Sequence, residues 1–373
     1  MLLPPALGCS TEAQTPGSHS STHAHSRQQL GVALEPHSWQ QGRHIRSLPL
    51  ITLYLTERCN SRCVSCDYWR HGRADLTPES VSRLLPQLVK LGTDTVVISG
   101  GEPLIHPQWA EIAQVLQDQG LRLWLLTSGL SLAKHAARAA KLFESITVSL
   151  DGTDRATYAA IRGLDAFDNV CAGIRAAADA GARVSVRVTV QRRNYGDLAA
   201  FVGLARRSGA RQVSFLGADV LNRQAFGRAA DFSADVALRV DDLPRFAQSL
   251  DALERAHAQD FSTGFIAESP MKLRRLLQYY SAICGLGPFP PTRCNSPEFS
   301  AVIETSGRVN PCFFIQGPQG TAAEAHLERA LNDEAMLLLR AEIRDRQRAE
   351  CTSCVCSMWR DPEAAVGRLS AEH

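Results

Sequence analysis

From residue 48 the chain alternates short apolar runs with amphipathic stretches. LPLITLYLT (48–56) reads as a buried strand, and TPESVSRLLPQLVKLG as a helix with Thr77 as N-cap and Pro78 in its first turn. TVVISGG is a second strand, followed by the helix PQWAEIAQVLQDQG ending on Gly120. LRLWLLTSG with SLAKHAARAAKLF repeats the unit, and SITVSLDG is followed by a helical stretch to about Ala180. RVSVRVTV precedes DLAAFVGLARRSG, and QVSFLG closes the series before a helix near DDLPRFAQSLDALERAH. Strands alternating with helices predict a parallel sheet with right-handed crossovers. Such a sheet either curls into an incomplete TIM-like barrel or lies open and doubly wound.

The pattern changes after about residue 258. Residues 284–297 are loop-like, EFSAVIETSGRVNPCFF reads as a hairpin turning at Ser306-Gly307, and one helix is expected over roughly 323–348. Residues 1–45, rich in Ser, His, Gln and Pro, read as a disordered tail in which His23 and His25 are solvated. The expected divisions are therefore a tail at 1–45, a core at 46–257, a linker and small domain at 258–360, and a polar tail at 361–373.

With 373 residues and 45% hydrophobic positions, the chain has the composition of a soluble globular protein. It has no apolar run long enough to span a bilayer and no basic n-region, so no membrane partner or signal peptide is expected, and the location is read as cytoplasmic. A net charge of +2 gives no indication of a nucleic-acid partner. Arg183, Arg187, Arg192 and Arg193 read as a solvated face around a strand.

The eleven cysteines change the picture, because most of them are grouped. Grouping in a chain with cytosolic character favours metals over disulfides. Cys9 and Cys171 stand alone and read as ordinary thiols. Cys59, Cys63 and Cys66 crowd one loop just past the first strand, as C-x3-C-x2-C. Structural zinc closes with four ligands, whereas three thiolates on a cubane leave one iron open. The other unusual runs also follow strands, where parallel α/β folds gather their chemistry. These are Gly100-Gly101-Glu102-Pro103, Thr127-Ser128-Gly129, Ser149-Leu150-Asp151-Gly152 with Ile161-Arg162-Gly163, and Phe215-Leu216-Gly217. The paired glycines allow close backbone approach, Ser149 and Asp151 offer oxygens to ribose hydroxyls, and Arg162 can pair with a carboxylate.

In this order the motifs resemble the radical SAM superfamily over residues 48 to about 220. The resemblance implies a partial (β/α)6 TIM-like barrel. Cys59, Cys63 and Cys66 would hold a [4Fe–4S] cluster whose open iron takes S-adenosylmethionine. Gly100, Gly101 and Glu102 would orient the methionine ammonium, Ser149 and Arg162 would bind the polar cofactor groups, and Leu216 would pack near the adenine. Reductive cleavage would give a 5′-deoxyadenosyl radical that abstracts a substrate hydrogen, with a flavodoxin- or ferredoxin-type electron donor. One departure is Ser65, where the family usually has a large residue; Tyr68 and Trp69 are candidates for the missing ring surface.

Downstream, Cys294-x12-Gly307-x4-Cys312 and Cys351-x2-Cys354-x-Cys356 also fit a zinc ribbon by spacing alone. In this context they resemble the twitch domain, a shortened SPASM domain, with a spacing similar to a twitch-type aminoglycoside alcohol dehydrogenase. That implies one auxiliary [4Fe–4S] cluster on Cys294, Cys312, Cys351 and Cys354, with Cys356 or Cys284 as alternative ligands. A fully ligated cluster suits electron transfer, hence oxidation of a substrate radical on a peptide or a small-molecule alcohol. The polar N-terminal tail is too short for a winged-helix peptide-recognition module. The competing reading is a zinc-stabilised α/β binding protein without catalysis. Asp219, Arg223 and Glu268 lie where barrel meets C-terminal region and read as surface or salt-bridge residues.

Overall fold

A computed structural model describes residues 44–70, 72–222, 225–228, 233–319, 323–356 and 358–360. Nearly all of the expected N-terminal tail, with Cys9, His23 and His25, lies outside these, as do Arg223 and residues 361–373.

Each predicted strand forms: β1 Leu50–Thr56, β2 Thr95–Gly100, β3 Arg122–Thr127, β4 Ser145–Ser149, β5 Val184–Val190 and β6 Gln212–Gly217. Helices α1 Pro78–Lys90, α2 Trp109–Asp118, α3 Leu132–Leu142, α4 Arg155–Arg162, α5 Phe167–Asp179, α6 Leu198–Arg207 and α7 Leu243–Ala256 fill the connections. The α1 start is as read: the Thr77 hydroxyl accepts from the Ser80 N–H at 3.2 Å, and Pro78 opens the helix. The single stretch expected after β4 is two helices, because Gly163 ends α4 in the left-handed region.

Strand order decides between the two architectures. The six strands pair in sequence order, all parallel. Right-handed crossovers that never reverse direction place every helix on one face, so the sheet curls as an open, partial barrel. Side chains obey the two-residue period of a strand. Ile51, Leu53 and Leu55 join Val81, Leu84 and Leu88 of α1 in the main core. Leu50 faces the other way, in a small cluster with Val97 and Phe299 against which Trp124 and Leu126 pack. Thr52, Tyr54 and Thr56 share that inner face with Leu50.

The expected hairpin forms as β7 Ser300–Ile303 and β8 Val309–Asn310, with Gly307 at φ 80° in the turn. Its placement was not legible: β7 pairs parallel with β1, Leu50 opposite Ser300, so the hairpin extends the barrel sheet past its first strand. A helix α8, Pro270–Ile283, was also missed, although Ser269 caps it and Leu273, Leu276, Tyr279 and Tyr280 give it an apolar face. It closes the β5–β6 end: the Tyr280 hydroxyl accepts from Ala218 N–H and donates to the Val190 carbonyl at 2.6 Å. The single helix expected over 323–348 is split into α9 Ala323–Asn332 and α10 Glu334–Arg344, because Asp333 caps the second by accepting from Met336 N–H. No helix among the described residues is long and apolar enough to cross a membrane.

Candidate metal and cofactor site

The cysteine loop leaves the C-terminal end of β1 and is gripped by backbone on two sides. On one side Gly101 N–H donates to Thr56 O and Glu102 N–H to Arg58 O, both at 2.8 Å. Gly100 sits at φ 121°, and a Cβ on Gly101 would lie 2.1 Å from the Arg58 carbonyl oxygen. The two glycines therefore let β2 press against the loop backbone, where the sequence suggested approach of a ligand. On the other side Arg62 and Val64 N–H groups donate to the Arg162 and Ile161 carbonyls at 3.0 Å, and a Cβ on Gly163 would meet Arg62 O at 2.3 Å. The Trp69 indole closes the far end on the Cys66 carbonyl at 3.0 Å.

The three thiols lie within electrostatic reach of one another. Burial pushes Cys59 to about 11 and Cys66 to about 12, with Cys63 opposing ionisation of both, and burial also raises Cys63. Metal loading of this loop must displace protons. Beside it, Arg162 forms a buried ion pair with Asp151 at 3.1 Å. Burial opposes the guanidinium charge, but Cys63, Asp151, Tyr158 and Cys59 outweigh it and hold its pKa above the ordinary value. Arg162 Nε and the Tyr158 hydroxyl are buried with no hydrogen-bond partner. Orphaned donors facing thiols fit a site for anionic sulfur or a ligand carboxylate.

Two carboxylates expected at the cofactor tie strands together. Buried Glu102 accepts from Leu104 N–H, from the Thr127 hydroxyl at 2.7 Å and from Ser128 N–H at 2.6 Å, so it joins the ends of β2 and β3. Asp151, 2% exposed, accepts from Thr189 N–H at 2.7 Å and from Arg162; burial raises its carboxyl pKa. Both carboxylates are buried, and each of their oxygens already accepts at least one of these bonds. Ser149 and Leu216 stand half-buried on the ends of β4 and β6.

The second cysteine group converges from three segments. Cys294 and Cys351 both oppose ionisation of Cys312, which burial pushes to about 12, and Cys294 likewise acts on Cys351, which burial raises to about 11. Burial raises Cys354, with Cys356, Cys312 and Cys294 adding to it. Cys356 is raised to about 11 by burial and by Cys294, while Lys272 and Arg187 nearby favour its thiolate, so it too lies close to this group. Cys284 sits elsewhere: its thiol donates to the Leu238 carbonyl, beside Asp242. Among the described residues no three His, Cys, Asp or Glu side chains are grouped as a single metal ion would need.

The remaining candidates are structural. Arg187 faces the barrel interior with its Nε buried and unpartnered, not on the solvated face expected for it. Glu268 is buried, accepting from the Ser214 hydroxyl and Phe215 N–H at 2.8 Å; Asp219 is buried too, accepting from Leu221 and Asn222 N–H groups, and its salt-bridge reading holds, with Arg228 at 3.9 Å.

Sequence reasoning missed a cavity of about 150 Å3 beneath the C-terminal end of β1. Tyr68, two residues past Cys66, lines one wall; Phe313 and Phe314, just past Cys312, line another. The Cys66 thiol donates to the carbonyl of Phe226, a third wall residue, and Phe314 N–H donates to Cys312 Sγ. The cavity thus lies between the two cysteine groups. One signal was present: Thr52, Tyr54 and Thr56 interrupt an otherwise aliphatic strand at every second position.

Residues 53–205 match the family model described as "Radical SAM superfamily". An AdoMet-dependent heme synthase of Methanosarcina barkeri (strain Fusaro / DSM 804) is 32% identical over 168 residues, 43% of this chain and 48% of that protein. GTP 3′,8-cyclase 1 of Mycobacterium tuberculosis (strain CDC 1551 / Oshkosh) is 34% identical over 200 residues, 50% of this chain and 55% of that protein. The chain thus spans about half the length of these curated relatives. Streptococcus suis SuiB bound to S-adenosylmethionine superposes with a TM-score of 0.62 at 14% identity, over 87% of this chain and 76% of that one. Native anSMEcpe with bound AdoMet gives 0.58 at 15% identity, over 82% and 88%. These structures share the fold, and with the family match over the cysteine loop and its flanking motifs they identify residues 53–205 as a radical SAM domain.

Proposed function

We propose that this chain is a radical SAM enzyme in which Cys59, Cys63 and Cys66 hold a [4Fe–4S] cluster beside S-adenosylmethionine. Cys294, Cys312, Cys351 and Cys354 hold a second, auxiliary [4Fe–4S] cluster. The observation that carries the first assignment is the cysteine loop clamped between the Gly100–Glu102 and Ile161–Gly163 backbones, with the orphaned Arg162 Nε beside it. When bound, the cluster and S-adenosylmethionine supply a 5′-deoxyadenosyl radical that removes a substrate hydrogen.

The chain's own residues place that chemistry. Gly100, Gly101 and Glu102 offer backbone to the methionine end, because the Glu102 carboxylate is committed to β3. Arg162, held by Asp151, presents positive charge to thiolates and to the cofactor carboxylate. Ser149 and Leu216 border the nucleoside. A cluster held by four cysteines has no open iron, which suits electron removal from a substrate radical over substrate binding. Cys284 is outside this set because its thiol is engaged near Leu238. A flavodoxin- or ferredoxin-type protein supplies the reducing electron. The substrate is a peptide or a small metabolite: one fold neighbour was solved bound to a precursor peptide, while the curated relatives include a heme synthase and a GTP cyclase.

Anaerobic reconstitution with iron and sulfide tests this reading. Two four-iron clusters give about eight irons per chain, and adding reductant with S-adenosylmethionine gives 5′-deoxyadenosine. Bound zinc with no deoxyadenosine would overturn it in favour of a zinc-stabilised binding protein.

A further inference from the structure

We infer that the cavity between the two cysteine groups binds a substrate through an ammonium group. The inference rests on the radical SAM reading only in calling the occupant a substrate. Its lining combines two carboxylates, Glu57 and Glu304, with the rings of Tyr54, Tyr68, Phe226 and Phe314. No Lys, Arg or His lines it among the described residues. Carboxylates set among aromatic rings are the surroundings that recognise an alkylammonium ion, through charge and through the negative face of each ring.

Both carboxylates are positioned but not used up. Glu57 accepts from the Thr305 hydroxyl on one oxygen at 3.0 Å and from Ala74 N–H on the other at 3.1 Å. Glu304 accepts from the Asn310 amide at 2.8 Å, and its nearest cation, Arg308, stays 3.9 Å away and outside the lining. A carboxylate has about four acceptor sites, so each retains capacity for a ligand N–H. The lining itself carries net negative charge, with Arg308 beside Glu304 and Arg228 over the Phe226 ring outside it, which disfavours a carboxylate or phosphate and gives a neutral alcohol no electrostatic advantage.

The walls tie this recognition to the chemistry. Tyr68 follows Cys66 and Phe314 follows Cys312 by two residues each, so an ammonium held here anchors its molecule between the two proposed clusters. At about 150 Å3, the enclosed space takes one side chain or the amine-bearing end of a small ring compound. The shared chemistry is therefore a primary or secondary amine on a small ring compound or on a lysine residue.

The test uses the reconstituted full chain and three matched probes: cyclohexylammonium, cyclohexanol and cyclohexanecarboxylate, followed by saturation-transfer NMR and calorimetry. The expected result is binding of the ammonium probe roughly tenfold tighter than the alcohol, with the carboxylate weakest. Glu304→Gln and, separately, Glu57→Gln should each remove most of that preference; two variants protect the test against one that fails to fold. Equal or tighter binding of the alcohol or carboxylate, or ammonium binding indifferent to both variants, overturns the inference. Acetyl-lysine methylamide as a fourth probe separates the sources: tighter binding than cyclohexylammonium selects a peptide side chain, weaker binding a ring amine. Deoxyadenosine formation by the unmodified protein reports separately on the radical SAM reading, so ammonium binding without deoxyadenosine would overturn only that reading.

Discussion

Replacing Asp151 by Asn should destabilise the chain far more than an exposed charge change would. The carboxylate lies 3.1 Å from Arg162, and the two side chains are only 3% and 11% exposed. Asn keeps an oxygen for the Thr189 N–H, so the loss is mainly the charge that compensates a buried guanidinium. Breaking one side of such a pair costs about 3–5 kcal/mol. Arg162→Met should cost a similar amount near neutral pH, since it strands a carboxylate. In that variant Asp151 holds its proton to higher pH when folded than when unfolded, as burial already favours in the wild type. The folded state then binds more protons, so stability falls as pH rises above the unfolded carboxyl value of about 4. The double variant removes both charges and should cost less than the two singles together, with a coupling of about 2–3 kcal/mol. Anaerobic urea unfolding followed by circular dichroism measures all three. Costs that add to within about 0.5 kcal/mol would refute the pairing argument.

Gly101→Ala should destabilise by about 1–3 kcal/mol, because its Cβ would collide with backbone at 2.1 Å, and should lower iron loading. Gly120→Ala, at positive φ but with nothing within 4 Å, should cost about 1 kcal/mol and leave loading unchanged in the same iron assay. Changing Cys59, Cys63 and Cys66 together to Ser should remove about half of the iron and all deoxyadenosine formation, whereas Cys284→Ser should leave iron content untouched. Loss of iron from Cys284→Ser would show that the auxiliary ligand set is wrong. Trp69→Phe should cost about 1 kcal/mol by leaving the Cys66 carbonyl without its 3.0 Å donor, read as a lower unfolding midpoint.

The barrel was legible because short runs rich in β-branched residues alternate with amphipathic helices, two of them capped by Thr77 and Asp154. The three-cysteine loop was legible because ligand spacing is local. What the sequence hid was long-range direction. Glu102 and Asp151 carry oxygens suited to a ligand, yet both turn inward to backbone donors on the next strand, a choice set by neighbours that only the fold supplies. Gly100 and Gly101 were read as letting a ligand approach the backbone; what comes close to them in the fold is the backbone of Thr56 and Arg58. The cavity was invisible because its carboxylates, Glu57 and Glu304, come from opposite ends of the chain and meet only through β7.

The pairing of β7 with β1 also bears on how the protein is made. The strand that leads into the first cysteine loop is translated about 250 residues before its neighbour on one side. Until that neighbour emerges from the ribosome, β1 is an open edge with unpaired backbone groups, a template for wrong pairing. A nascent chain therefore carries its first cysteine loop on an unfinished sheet until β7 follows. Truncation before Ser300 would leave that edge bare and should favour aggregation over a shorter folded protein.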